Sequence, residues 1–208
     1  MLPVEYKSLP RREEYCFVKV SVMKPKGLIL FHGAGGNRDH GTFLDIERLI
    51  DIPILRYNFA YREANAKRPP PRADRLIEEV GEVAASFAEK LSVPQSSLVI
   101  GGRSMGGRVA SMAVANGLPA RGLVLLSYPF HPPGKPESLR VNHLHRIRRP
   151  TILISGDRDP FGSPQLLRHY AKWISSEVSI HILDGQNHNP KDTSKIIGPL
   201  FKWLYSLR

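Results

Sequence analysis

The chain has 208 residues, a length that suits one compact domain with a sizeable core. Its 41% hydrophobic and 24% charged residues are the balance of an ordinary globular protein and exclude a chain that is disordered throughout. The formal net charge of +11 admits three readings: a basic solubilising surface, a preference for acidic substrates, or nucleic-acid binding. The basic residues are scattered, apart from Arg11-Arg12 and Arg146-Ile147-Arg148-Arg149, and no nucleic-acid module is recognisable, so nucleic acid is not an expected partner.

No stretch of about 18 apolar residues occurs, so no membrane-spanning helix and no membrane partner are expected. Met1-Leu2-Pro3-Val4-Glu5 has no apolar run behind a basic start, unlike a secretory leader. Cys16 is the only cysteine, which rules out an internal disulfide and points to a reducing, cytoplasmic setting. It lies in an alternating apolar run, where a free cysteine packs as a small hydrophobe.

Along the chain, short apolar runs alternate with longer amphipathic segments. Residues 14–22 alternate like an edge strand, and Pro25-Lys26-Gly27 is a turn. The run 28–31 is continuous, as in a strand covered on both faces. It opens into the glycine-rich loop His32-Gly33-Ala34-Gly35-Gly36-Asn37, and helical spacing follows over 42–50. Residues 52–57 read as a strand, 64–72 as a proline-marked loop, and 74–91 as the longest amphipathic helix. A strand over 97–101 runs into Gly102-Arg103-Ser104-Met105-Gly106-Gly107 and a helix that ends near Asn116-Gly117. Strands are predicted over 122–127, 151–155 and 178–183, and helices over 164–174 and 193–207. The connection 128–150 exceeds the usual limit of about 12–15 residues and is too short for a separate cap domain. This alternation predicts a single domain over 1–208, with a mostly parallel sheet covered by helices on both faces.

Gly102-Arg103-Ser104-Met105-Gly106 fits the pattern G-x-S-x-G. A serine on a tight strand-to-helix turn projects its oxygen above the sheet, and bulky residues two positions away would clash with neighbouring backbone. The apolar strand before it and the Ala/Met/Val helix after it supply the required context, and the phosphate-loop pattern G-x-x-x-x-G-K-[ST] is absent. Ser104 is therefore the candidate nucleophile. A tetrahedral intermediate needs two donors on one oxygen. The N–H of Met105 is one, and the glycine loop offers the other, with Ala34 favoured over Gly33 or Gly35. His32 is expected to anchor that loop.

A serine hydroxyl needs a base within hydrogen-bond reach, and histidine has the appropriate pKa. His188 lies in a polar, turn-rich loop after the last strand, where ligand chemistry occurs in open parallel sheets. His181 falls within a strand, His169 on a helix, and His143 and His145 in the long connection. Two carboxylates compete to orient the base. Asp159, before the turn-forming Pro160, is favoured over Asp157, for which a turn-capping role is expected.

These residues resemble the α/β-hydrolases, and more narrowly the small, capless group related to dienelactone hydrolases, with the KANSL-subunit-like hydrolase domains among them. The resembling segments include His32-Gly33-Ala34-Gly35-Gly36, Tyr57-Asn58-Phe59, Gly102-Arg103-Ser104-Met105-Gly106-Gly107-Arg108, Tyr128-Pro129-Phe130-His131-Pro132-Pro133-Gly134-Lys135 and Gly156-Asp157-Arg158-Asp159-Pro160-Phe161-Gly162. The resemblance implies a doubly wound sheet of about seven strands without a cap. It also implies ester, thioester or related acyl hydrolysis on a small-molecule substrate, with no cofactor and no metal. Dienelactone hydrolases proper use a cysteine nucleophile, and Ser104 stands in that place here, so lactone specificity does not carry over.

The expected chemistry is acyl transfer by Ser104, His188 and Asp159 with Met105 and Ala34 as oxyanion donors. A shallow pocket walled by residues 58–62, Arg103, Phe130 and His131 is expected beside them, with Gly33 and Gly35 also facing the substrate. Arg62 and Arg103 either attract an acidic group on the substrate or, in the case of Arg103, brace the turn. The alternative from another class is a catalytically silent hydrolase-like scaffold or interaction domain.

Overall fold

Short apolar runs become parallel strands, and the amphipathic segments between them become the helices that cover the sheet. The computed structural model describes residues 24–65 and 69–207. The elements in order are β1 (Gly27–Phe31), α1 (Gly41–Leu49), β2 (Ile54–Tyr57), α2 (Ala60–Ala64), α3 (Ile77–Lys90), β3 (Leu98–Arg103), α4 (Met105–Ala115), β4 (Gly122–Leu126), β5 (Thr151–Gly156), α5 (Pro164–Ala171), β6 (Val178–Leu183) and α6 (Ser194–Leu204). The expected edge strand over 14–22, and with it Cys16, lies outside the described residues.

Among the described residues, six strands form one sheet in the order β2-β1-β3-β4-β5-β6, every pair parallel. The chain leaves β1 toward β2 on one side and returns to place β3 on the other. The crevice at the carboxyl ends of β1 and β3 is thus a topological switch point, where open α/β sheets bind ligands. Phe31 is in register with Gly102, so the loops after these strands start side by side.

Alternation along the strands makes two apolar layers. Ile29, Phe31, Ile100, Leu123, Leu125 and Leu153 face the layer of α3, α4 and α5 with Val80, Phe87, Val109 and Leu167. Leu28, Leu30, Val99, Val124, Ile152 and Ile154 face α1 and α6 through Phe43, Ile46, Leu200 and Trp203. Strands β1, β3, β4 and β5 are buried almost throughout because helices cover both faces.

Boundaries differ from expectation where hydrogen bonding changes. The second strand begins at Ile54, after Pro53, which has no N–H to give the ladder. The expected helix over 74–91 begins as a 3₁₀ turn, Ala73–Leu76. Helix α5 stops at Ala171, since Trp173 and Ile174 donate to residues three back, the tighter 3₁₀ pattern. Helix α5 starts on Ser163, whose side chain accepts from the Leu166 N–H, with Pro164 in the first turn.

The long connection after β4 folds down over the end of α4. Val141, Leu144 and Ile147 bury themselves in the first layer, and the Phe130 N–H donates to the Phe161 carbonyl over 2.8 Å. Among the described residues no helix is long and apolar enough to cross a membrane.

Candidate active site

Strand β3 delivers its last residues straight into helix α4, with Ser104 at the junction. Its φ of +52° and ψ of −119° lie where a non-glycine residue is strained by about 1–3 kcal/mol. Its N–H donates to the Leu126 carbonyl over 2.8 Å, and its carbonyl accepts from the Arg108 N–H over 3.0 Å. The flanking glycines have a steric cause: a Cβ on either Gly102 or Gly106 would collide with the Phe31 carbonyl oxygen. The turn can therefore lie flat against β1 only with glycine at both positions.

The Ser104 Oγ lies 2.9 Å from His188 Nε2. His188 Nδ1 lies 2.8 and 2.9 Å from the two carboxylate oxygens of Asp159. The Asp159 side chain is 0% exposed and that of His188 20%, so the charge of the pair is shielded from water while the imidazole keeps one open face. With Nδ1–H donating to the carboxylate, Nε2 is left to accept the serine proton. The Phe161 ring meets the imidazole edge-on at 4.7 Å.

The choice between the two aspartates follows from this geometry. Asp159 meets His188, and its Oδ1 also accepts from the Phe161 N–H over 2.9 Å. The capping role expected of Asp157 thus belongs to Asp159, while the buried Oδ1 of Asp157 has no hydrogen-bond partner.

The glycine loop is held from behind. His32 is buried; its Nδ1–H donates to the Gly33 carbonyl over 2.7 Å, and its Nε2 accepts from the Phe59 N–H over 3.2 Å. Burial pushes its pKa below the usual imidazole value, against the raising effect of the Gly33 carbonyl, so the ring anchors the loop as a neutral group. The Ala34 carbonyl accepts from Arg62 Nη2 at 2.7 Å and from Tyr61 Oη at 3.3 Å. With that oxygen held toward α2, Ala34 meets the cleft beside Ser104, and a Cβ on Gly33 would lie 3.4 Å from the Ser104 Cβ.

A cleft of about 420 Å³ opens above Ser104. Gly33, Ala34, Gly35, Arg103, Met105 and His131 line it, as expected. Phe130 and the expected wall residues 58–62 do not. Phe130 is buried in the core, edge-on to Tyr128 at 4.9 Å and stacked on Tyr170 at 5.8 Å, because its neighbours turn the ring inward. Arg62, like the rest of residues 58–62, stands behind the loop, its Nη2 on the Ala34 carbonyl. Arg103 reaches across to the base loop, Nη2 donating to the His188 carbonyl over 2.7 Å. Burial lowers its pKa, and the charge of Asp159 opposes that shift.

Sequence reasoning missed Pro70, Pro71, Arg108, Arg140 and Phe161, all of which line the cleft. Arg108 had a usable signal: it lies four residues after Ser104, on the same helix face. The others come from connections whose course no periodicity encodes. Among the described residues, no three histidine, cysteine, aspartate or glutamate side chains are grouped to hold a metal ion.

A family model described as an alpha/beta hydrolase domain matches residues 24–196. Among solved structures, the chain is similar to Est1E from Butyrivibrio proteoclasticus with ferulic acid bound, at 15% identity over 88% of this chain and 90% of that one, with a TM-score of 0.72. It is similar to a dienelactone hydrolase from Anabaena variabilis at 16% identity over 88% of both chains, TM-score 0.70. It is also similar to the RedJ thioesterase of the prodiginine pathway in Streptomyces coelicolor at 16% identity, over 89% of this chain and 91% of that one, TM-score 0.63. At such identities these likenesses establish the fold and no substrate.

Proposed function

Since the chain belongs to the alpha/beta hydrolase family, we propose that it is a serine hydrolase that cleaves a carboxylic ester or thioester through an acyl-enzyme on Ser104. The observation that carries this reading is the hydrogen-bonded line from Ser104 Oγ through His188 to the buried Asp159, with its serine end at the floor of a cleft.

In the first step His188 Nε2 takes the hydroxyl proton as Ser104 Oγ adds to the carbonyl carbon. Asp159 holds the ring in the Nδ1–H tautomer and stabilises the imidazolium. The oxyanion lies between the N–H groups of Met105 and Ala34, aided by the positive end of α4. The intermediate collapses, the alcohol or thiol leaves with the proton from His188, and the acyl group stays on Ser104. Water then attacks with His188 as base, releasing the carboxylic acid and restoring the serine. The ester-type and thioester-type relatives support this class of reaction without specifying the acyl chain.

A fluorophosphonate probe tests the proposal. We expect one adduct per chain, located on Ser104 by mass spectrometry and absent from Ser104→Ala. Folded wild-type protein that takes up no probe would overturn the reading and bring forward a catalytically silent scaffold.

A further inference from the structure

We infer that Arg108 and Arg140 form an anion subsite beside Ser104, selecting acyl substrates that carry a carboxylate or phosphate a few bonds from the scissile carbonyl. The inference rests on the hydrolase reading for its consequence and on the geometry of the cleft for its existence.

Among the described residues, four arginines and no aspartate or glutamate line the cleft: Arg72, Arg103, Arg108 and Arg140. Two are committed elsewhere. Arg103 holds the His188 carbonyl, and Arg72 pairs with Asp74 at 3.2 Å. Arg108 and Arg140 have no carboxylate partner among the described residues, and the buried Nε of Arg108 has no hydrogen bond. Both also border an adjoining depression of about 370 Å³, shared with Met112 and the Arg72–Asp74 pair, so they stand where the cleft continues away from the serine. One helical turn separates Arg108 from Ser104, about 6 Å along the axis, so the two side chains start one turn apart beside the cleft.

The site is built, not incidental. The Arg140 N–H donates to the Phe130 carbonyl over 2.6 Å, and its carbonyl accepts from the buried Tyr128 Oη over 3.0 Å. The same segment is clamped to α4 by a buried pair: Ser111 Oγ lies 2.7 Å from His143 Nε2 and donates to the Arg108 carbonyl over 2.7 Å. One buried polar network therefore fixes the backbones that carry both guanidiniums. Their charges act on one another, since the proximity of Arg108 adds to burial in lowering the Arg140 pKa. Asp74, on the same depression, is paired with Arg72, so the repulsion between Arg108 and Arg140 is what a bound anion relieves, and guanidinium forks match carboxylate and phosphate geometry.

Two measurements test the subsite. In the first, kcat/KM is compared for the 4-nitrophenyl monoester of adipic acid and its methyl-capped, uncharged counterpart. We expect the charged ester to be favoured about tenfold or more, the ratio to collapse in Arg140→Gln and Arg108→Gln, and Arg140→Lys to restore part of it. Equal values for the two esters, or one ratio in wild type and both glutamine variants, would overturn the subsite. In the second, the Ser104→Ala protein is titrated calorimetrically with monomethyl adipate, dimethyl adipate and butyl phosphate. Tighter binding of either anion than of the diester supports the subsite, and the stronger of the two identifies the head group; equal binding of all three overturns it. Anion binding in a protein whose serine takes no fluorophosphonate would retire the hydrolase reading and leave the subsite standing. Labelling without anion preference would do the reverse.

Discussion

Ser104 combines the proposed nucleophilic hydroxyl with an unfavourable backbone, and the two can be separated by substitution. Ser104→Ala and Ser104→Gly both remove the hydroxyl and its bond to His188, but only alanine keeps a Cβ at φ +52°. Glycine normally destabilises an ordered segment relative to alanine by about 0.5–1 kcal/mol. Here the order is expected to invert, with Ser104→Gly the more stable in urea unfolding by about 1 kcal/mol. The usual order would mean that the turn stores no strain at this residue. At this scale the sequence was legible where a residue type is demanded by a turn. The glycines on either side of Ser104, and a carboxylate placed before Pro160, could be read in advance. The direction of a side chain was not: Phe130 turned into the core and Arg62 onto a carbonyl because of neighbours distant in sequence.

At the level of elements, the pairing of α4 with the long connection rests on a histidine that must stay neutral. Tyr128 Oη donates to the Arg140 carbonyl and Ser111 Oγ to the Arg108 carbonyl, so His143 Nε2–H is the group left to donate to Ser111. Burial, with the nearby charges of Arg108, Arg146 and His145, lowers the His143 pKa from 6.5 to about 4. The unfolded chain therefore binds this proton first as pH falls. Stability from this site is complete above about pH 6.5, declines toward pH 4, and changes no further below it, a loss of about 2–4 kcal/mol. Replacing the imidazole with a group that does not titrate, as in His143→Gln, should flatten the unfolding midpoint between pH 6.5 and 4; an unchanged slope would place the acid sensitivity elsewhere. The elements themselves were legible from apolar periodicity, because long runs of one period leave few choices. Their ends were not, since a last turn that tightens to 3₁₀ bonds has no compositional mark.

For the whole molecule, the candidate site exists only once the sheet is complete. Ser104 follows β3, Asp159 follows β5 and His188 follows β6, while the glycine loop follows β1. A mostly parallel sheet covered on both faces could be anticipated from the alternation of elements, but not the order β2-β1-β3-β4-β5-β6 in which its strands lie. Nor could the four-arginine lining of the cleft, because it depends on how two proline-marked connections lie across the sheet end. The tie from Arg103 to the loop after β6 is made to the main-chain oxygen of residue 188 and not to its ring. That loop therefore stays anchored whatever side chain position 188 carries. In His188→Ala the ring would leave a ready-made vacancy between Asp159 and the edge of Phe161. Free imidazole added to the solution should occupy it and return part of the lost turnover, in a saturable way; a rate that stays flat with imidazole would show that the loop had moved with the loss of the ring. In the proposed mechanism the base is thus a replaceable part on a fixed mount, and the fold supplies the mount.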